Sequence, residues 1–375
     1  VGFRKRHPLL HGFMPWFNSG TGDPVDNTNN SIQVPCLDNG QFAWAVYAAA
    51  RALRHAGESK LAARFQGHLE EMAANAVSMA YCGNGNVAAN VRMKILSSGK
   101  AHYEPVGYDV DPFESEVFPI FLDLLGDFKA AGYEDPEKEK ALIWSNPDRV
   151  HRIRPAKLQL ETGGVAILVC AGWHFSSHEL WKYLSLPYCR VDSTRRVLVN
   201  GEIARTHFLA QRQVPGMIGS CTGPDANYHD NVGIAEGLSD LDVTCTDLLT
   251  PYGAFPTLLA SEAIGAAWLK TMLECGGMQS ELGASESCQS DGSAVCSVKT
   301  WDAKITTVVA VLGGGNFLEP FLRQDSLWTR FAWILDSLYG EKFPQPMPGA
   351  DLPLALPTAI LGAPLLGGPA ACLIQ

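Results

Sequence analysis

The sequence predicts a helix-dominated fold, a toroid of antiparallel helix hairpins that carries a small β insertion. Three observations lead there. Ala-rich stretches with apolar residues at helical spacing recur along the chain, as in FAWAVYAAARALRHAG from Phe42 to Gly57. Gly and Pro break these stretches at hairpin-like intervals. No self-similar period of roughly 30 to 50 residues, the mark of an open solenoid, is visible, so ring closure is preferred.

Taken in order, the first hairpin runs from Asn39 to about Ala80, with Gly57 as the stop between its two helices. A second helix is expected from Asp111, with Asp111-Pro112 as N-cap and first turn, Glu114 at the capping-box position and VFPIFLDLLGDFKAAG as the apolar face. DPEKEKALIWSN supplies its partner, so the first 150 residues read as consecutive antiparallel helices. Between Arg154 and Arg205 the runs GGVAILVCAGWHF and TRRVLVNGEIART suggest strands or buried short elements, hence the β insertion. Helices return with PTLLASEAIGAAWLKTMLECGG, DAKITTVVAVLGGGNFLEPFLRQ and SLWTRFAWILDSLYG. Residues 1–341 are read as one toroidal domain, although the length alone would also permit two, and the Pro-, Leu- and Gly-rich residues 342–375 are expected to form an extended or poorly ordered tail.

Composition narrows the partners. Hydrophobic residues at 46% against 18% charged describe a globular chain with a sizeable core. A net charge of -10 gives no attraction for phosphate backbones or anionic headgroups, which disfavours nucleic acid and membrane partners. A neutral glucan suits this balance. No run of roughly 18 apolar residues occurs, so transmembrane helices are not expected. The opening VGFRKRHPLLHGF is basic with no long apolar stretch behind it, and no secretory signal is legible. The ten cysteines lack the close paired spacing of structural zinc, and no metal is expected. Their even number would suit disulfides, yet Cys170 and Cys245 lie in apolar or strand-like runs that favour free thiols. Cys288 and Cys296, which share a polar loop, are the pair best suited to a bridge.

Glycoside cleavage needs one protonated carboxyl and one ionised one. Gly107 to Phe118 concentrates Asp109, Asp111, Glu114 and Glu116 around a helix start, and like charges this close raise one another's pKa. The plainer reading is a capped helix whose acids complement the dipole. Glu286, Asp291 and Asp302 lie in or beside polar loops before an apolar helix, with Trp301 a candidate sugar platform and N-capping the plainer role for Asp302. Trp173 to Lys182 is dense in polar and aromatic groups, where His178 and Glu179 suit ligand hydroxyls, against a helix start capped by Ser176 or Ser177. Asp38, in an Asp-Asn-Gly loop entering a helix, is either a hydroxyl ligand or turn chemistry.

LDNGQFAW, DPFESE, SSHELWKYLSLPY, TPYGAFPTLLASEAIGAAW and TWDAKITTVVAVLGG follow in that order from about residue 37 to 315. Together they resemble the endo-β-1,2-glucanases of fungal type, glycoside hydrolase family 162. The resemblance implies an (α/α)6 barrel that hydrolyses β-1,2-glucan to sophoro-oligosaccharides with inversion, without metal or organic cofactor. It implies a general acid in DPFESE, with Glu114 favoured over Glu116, whose proton travels through a hydroxyl of the bound sugar. The base it implies is Asp302, with Asp291 the fallback. Asp38, Tyr108, Asp111, Trp173, His178, Glu179, Trp181, Tyr252, Glu286 and Trp301 then stand as substrate-binding residues. Two positions depart from the pattern: Glu114-Ser115-Glu116 replaces an expected Glu-Gly-Glu, and Cys36 replaces an aromatic.

The resemblance also implies secretion, with a cytoplasmic enzyme as the alternative. Competing activities are a glucan transglycosylase or phosphorylase on a related toroid. A non-catalytic carbohydrate-binding protein is the competitor from outside the enzymes. No basic anion pocket for a phosphorylase is evident in the sequence.

Overall fold

A computed structural model describes residues 2–18, 20–24, 26–27, 31–110, 114–160, 164–171, 180–234 and 247–359. The fold is dominated by helices, with small antiparallel sheets between them. Two compact units emerge, residues 1–152 with 320–334, and residues 153–319 with 335–375.

In the first unit the expected hairpin is present as helices Cys36–His55 and Ser59–Ala80. Gly57 turns the chain between them at φ +82, a left-handed conformation that favours glycine. The Asp38-Asn39-Gly40 stretch is not a loop, as expected from its turn-like composition, but the first turn of that helix. Asn39 is buried, and its amide hooks the Met14 and Pro35 carbonyls at 2.8 and 2.7 Å. Gly40 lies against Phe118, so closely that a Cβ would stand 2.8 Å from the Phe118 nitrogen. Its role is close helix packing.

The helix expected from Asp111 begins later and ends sooner. A 3-10 turn, Glu114–Glu116, leads into Val117–Leu125, and Gly126 is its extended C-cap. The expected partner helix is present as Pro136–Ser145, capped by Asp135, which accepts from the Lys138 N–H at 3.1 Å.

A sheet interrupts the expected run of helices. Asp26–Asn27, Ser31–Pro35, Ala88–Ile95 and Ala101–Tyr108 pair antiparallel in that order, with Val34 opposite Val91 and Asn90 opposite Val106. Val34 and Val91 are fully buried, whereas the Ala101–Tyr108 edge is largely open. One covered face and one exposed edge strand are what a small antiparallel sheet on a helical layer produces.

The second unit contains the expected β insertion as a hairpin, Arg154–Gln159 with Ala166–Ala171. TRRVLVNGEIART is not part of it. That stretch lies within helix Asp192–Gln211, of which Val197, Leu198, Ile203, Ala204 and also Glu202 and Arg205 are buried. A helix enclosed on so many sides lacks the polar face that advertises helical periodicity. Glu202 and Arg205, each 1% exposed, satisfy one another at 2.7 Å with Thr257 as a third partner.

Helices Phe255–Ala260 and Glu262–Leu273 are separated by the extended Ser261, and Asp302–Val311 packs against the first of them. Leu209, Met217, Leu249, Trp268, Met272 and Cys288 share one core. Residues 342–359 run through turns as far as Leu352, where Ala350 N donates to Met347 O at 3.0 Å, and are tied down: Pro348 O accepts from Leu168 N at 2.9 Å and Asn200 Nδ2 at 3.0 Å, and Trp268 Nε1 donates to Ala355 O at 2.8 Å. Cys288 and Cys296 form no bridge; all cysteines among the described residues are free thiols. No single helix among the described residues is long and apolar enough to cross a membrane.

Candidate active site

The acidic turn of the first unit is built on a rigid base. Trp44 is fully buried and its indole N–H donates to Val117 O at 2.9 Å, fixing the junction between the 3-10 turn and the helix. Trp44 also meets Phe121 edge-on, with ring centroids 6.0 Å apart. Upstream, Asp109 donates its N–H to Val87 O at 2.7 Å and accepts from the guanidinium of fully buried Arg149 at its own carbonyl. Both flanks of the DPFESE segment are therefore anchored.

Within it, Glu116 is fully buried, and Ser115 is buried beside it. Asp111 and the side chain of Glu114 lie outside the described residues. Tyr108 ends the edge strand and is half exposed. Asp38 is exposed and accepts from Trp16 Nε1 at 3.1 Å, so an open indole–carboxylate pair sits at the start of the first long helix.

In the second unit the acids behave differently from one another. Glu286 is only 6% exposed and sits where Ser285–Cys296 folds back on itself: its N–H donates to Val298 O at 3.0 Å, and Cys296 N donates to Ser287 O at 2.9 Å. Its carboxylate accepts from the Thr300 hydroxyl. Burial pushes the Glu286 pKa above the ordinary carboxylate value, and the charge of Asp302 adds to this. The Thr300 hydroxyl, the Thr222 N–H and the Lys304 charge oppose the shift without cancelling it. A buried carboxyl with a raised pKa beside an exposed carboxylate marks this turn as a candidate site.

Asp302 is exposed and is the first residue of helix Asp302–Val311, not its N-cap. Trp301 takes the cap position without a side-chain hydrogen bond, and Thr300 Oγ1 accepts from Ala303 N at 3.4 Å in its place. Trp301, next to Asp302, is 71% exposed. Such an open indole face suits a sugar ring, whose C–H groups pack on aromatic surfaces.

Trp181 donates its indole N–H to Tyr252 OH, with ring centroids 6.2 Å apart. Tyr252 is 3% exposed, so Trp181 is the more accessible of the two. Asp291 stands at an exposed turn and accepts from Ser293 N at 2.9 Å, and the Ser293 hydrogen bonds hold its pKa below the ordinary value. Trp173, His178 and Glu179 lie outside the described residues.

Thr300, Lys304 and Thr222 escape a reading of the sequence. Thr300 carried a faint signal, a hydroxyl just before a helix start. Thr222 carried none, since only tertiary folding brings residue 222 to residue 286. Among the described residues no group of three or more His, Cys, Asp or Glu is placed to hold a metal ion.

A family model described as endo-β-1,2-glucanase SGL, of glycoside hydrolase family 162, matches residues 1–367. The chain belongs to this family. Two solved structures of the endo-β-1,2-glucanase from Talaromyces funiculosus, a mutant with β-1,2-glucan and the enzyme with sophorose, are 30% identical to this GH162 chain. They superpose with TM-scores of 0.85 and 0.86 over 96% of this chain and 74% of theirs. The endo-β-1,2-glucanase from Chitinophaga pinensis, solved with sophorotriose and glucose, shares the fold at a TM-score of 0.51, with 11% identity over 90% of this chain and 79% of that one. No match is found among curated proteins.

Proposed function

We propose that this GH162 chain is an endo-acting glycoside hydrolase that cuts β-1,2-glucan to sophoro-oligosaccharides with inversion. One observation carries it: a family match along residues 1–367, reinforced by 30% identity to a fungal enzyme solved with β-1,2-glucan and with sophorose. The (α/α)6 barrel implied by the family resemblance is the proposed arrangement of the helix hairpins. An intact polysaccharide does not cross a cell membrane, which supports action outside the cell.

Asp302 is assigned the water-activating role. Its exposure beside an open indole supports this. The proton donor is assigned to the DPFESE turn. The complete burial of Glu116 and the anchoring of its turn through Trp44 and Val117 support that residue, with Glu114 as second candidate. In an inverting reaction one carboxyl protonates the leaving oxygen while the other deprotonates the attacking water, and neither forms a bond to the sugar. Trp301 and the Trp181–Tyr252 pair are proposed sugar contacts.

The test is separate amide substitution of Glu114, Glu116, Asp291 and Asp302, with reducing ends counted on β-1,2-glucan. Glu116→Gln and Asp302→Asn are expected to lose at least about a hundredfold in turnover with the fold retained, and Asp291→Asn to stay near the parent. If none of the four loses that much, the acid–base assignment is wrong. Disproportionation without net hydrolysis would instead indicate a transferase, a phosphate requirement a phosphorylase, and binding without turnover a carbohydrate-binding protein.

A further inference from the structure

Trp301 gives the Asp302–Val311 helix no side-chain cap, so something else must fix the orientation of its first turn. That first turn carries Asp302. Thr300 supplies the missing contacts in three directions. Its hydroxyl accepts from the Ala303 N–H, which would otherwise lack an intrahelical partner, at 3.4 Å. The same hydroxyl donates its proton to the Glu286 carboxylate. Its carbonyl accepts from Lys304 Nζ at 2.7 Å.

Glu286 is in turn a fixed point. It is 6% exposed and held by its own N–H to Val298 O at 3.0 Å; the next residue, Ser287, donates its hydroxyl to Thr222 O at 2.6 Å. A carboxylate is an unusual thing to bury at this depth. An apolar side chain of similar size in its place would leave the Thr300 hydroxyl and the Thr222 N–H without this acceptor.

We propose that Glu286 is a positioning residue for Asp302: through the Thr300 hydroxyl it fixes the turn that delivers the Asp302 carboxylate to the attacking water. This rests on the assignment of Asp302 as the base. Glu286 does not touch substrate or water in this scheme. It removes the freedom of residues 300–302, and a displacement of about 1 Å at a reacting group can cost on the order of a hundredfold in rate.

The test uses the full chain on β-1,2-glucan, with kcat and KM measured separately and thermal unfolding as the control. Thr300→Val, which keeps the shape and removes the hydroxyl, is expected to lower kcat about tenfold or more while KM moves less than about threefold. Thr300→Ser, which restores the hydroxyl, is expected to recover kcat to within about threefold of the parent, and Glu286→Gln, which still accepts from Thr300, to fall between the two. Glu286→Leu is expected to match Thr300→Val. Should Thr300→Val not fold, the Glu286→Leu and Glu286→Gln pair carries the same comparison. A Thr300→Val enzyme with parental kcat, or a Thr300→Ser enzyme no better than Thr300→Val, overturns the proposal. Asp302→Asn separates the two levels. Full turnover in that variant removes the base assignment and this proposal together, whereas a dead Asp302→Asn beside a fully active Thr300→Val removes the positioning role alone.

Discussion

Arg330 holds Asp123 in a two-point clasp, Nε to Oδ1 at 2.9 Å and Nη2 to Oδ2 at 2.7 Å. Asp123 is 2% exposed and also accepts from the Trp144 indole at 2.8 Å, so one carboxylate joins three segments of the first unit. It lies on the same Val117–Leu125 helix that the acidic turn leads into. Asp123→Ala strips two buried or half-buried donors of their acceptor and is expected to cost about 3 kcal/mol, the range for breaking one side of a buried ion pair. Urea unfolding followed by circular dichroism checks this. A loss under about 1 kcal/mol would mean that water replaces the carboxylate readily.

Gly40 fixes how closely the Cys36–His55 helix approaches the start of Val117–Leu125. A Cβ there would meet Phe118 at 2.8 Å, on backbone as well as side chain, and backbone does not step aside cheaply. Gly40→Ala gains helix propensity of about 1 kcal/mol, yet overpacking of about 1–3 kcal/mol outweighs it. The expected outcome is a net loss of stability with a further loss of turnover, because the displaced segment bears Glu116. A variant more stable than the parent would contradict the packing argument.

Glu286 makes stability depend on pH in a defined direction. Its folded-state pKa lies above the unfolded value, because burial and the Asp302 charge disfavour the ionised form. Its stabilising contribution is therefore complete below the ordinary carboxylate range and is lost as pH rises through the raised folded value. Glu286→Gln removes the titration, so the stability of the variant relative to the parent is expected to improve as pH rises from acid to neutral. Thermal unfolding of both proteins across that window measures it. A constant difference at every pH would show that Glu286 titrates as an ordinary carboxyl.

Trp301 is 71% exposed and so contributes little to the core. Trp301→Ala is expected to leave stability within about 0.5 kcal/mol, as surface substitutions do. The loss of an aromatic platform worth roughly 1 kcal/mol predicts a KM increase of about fivefold on β-1,2-glucan. An unchanged KM would remove Trp301 from the substrate contacts.

How much was legible varied with how each element meets solvent. The Cys36–His55 and Ser59–Ala80 pair was plain, because Ala-rich helices with a Gly57 stop leave a periodic trace. The Asp192–Gln211 helix reads in the sequence as strands or buried short elements, because burying Glu202, Arg205 and Asn200 along with Val197 and Ile203 erases the polar face. The Ala88–Ile95 and Ala101–Tyr108 strands are not legible in the sequence because Ala, Lys and Pro105 dilute their alternation, and Ala88–Ile95 pairs at long range with Ser31–Pro35. Acids were easy to list as candidates. What distinguishes them, the burial of Glu116 and Glu286 against the exposure of Asp291 and Asp302, arises only when distant segments fold together.

The claim that this chain is a β-1,2-glucanase is tested most directly by incubating it with linear β-1,2-, β-1,3-, β-1,4- and β-1,6-glucans and identifying the products over time. Rapid appearance of mixed-length sophoro-oligosaccharides from the β-1,2-linked polymer alone, with the α-anomer forming first by NMR, is the expected result. Cleavage of another linkage with the β-1,2-glucan left intact would contradict it.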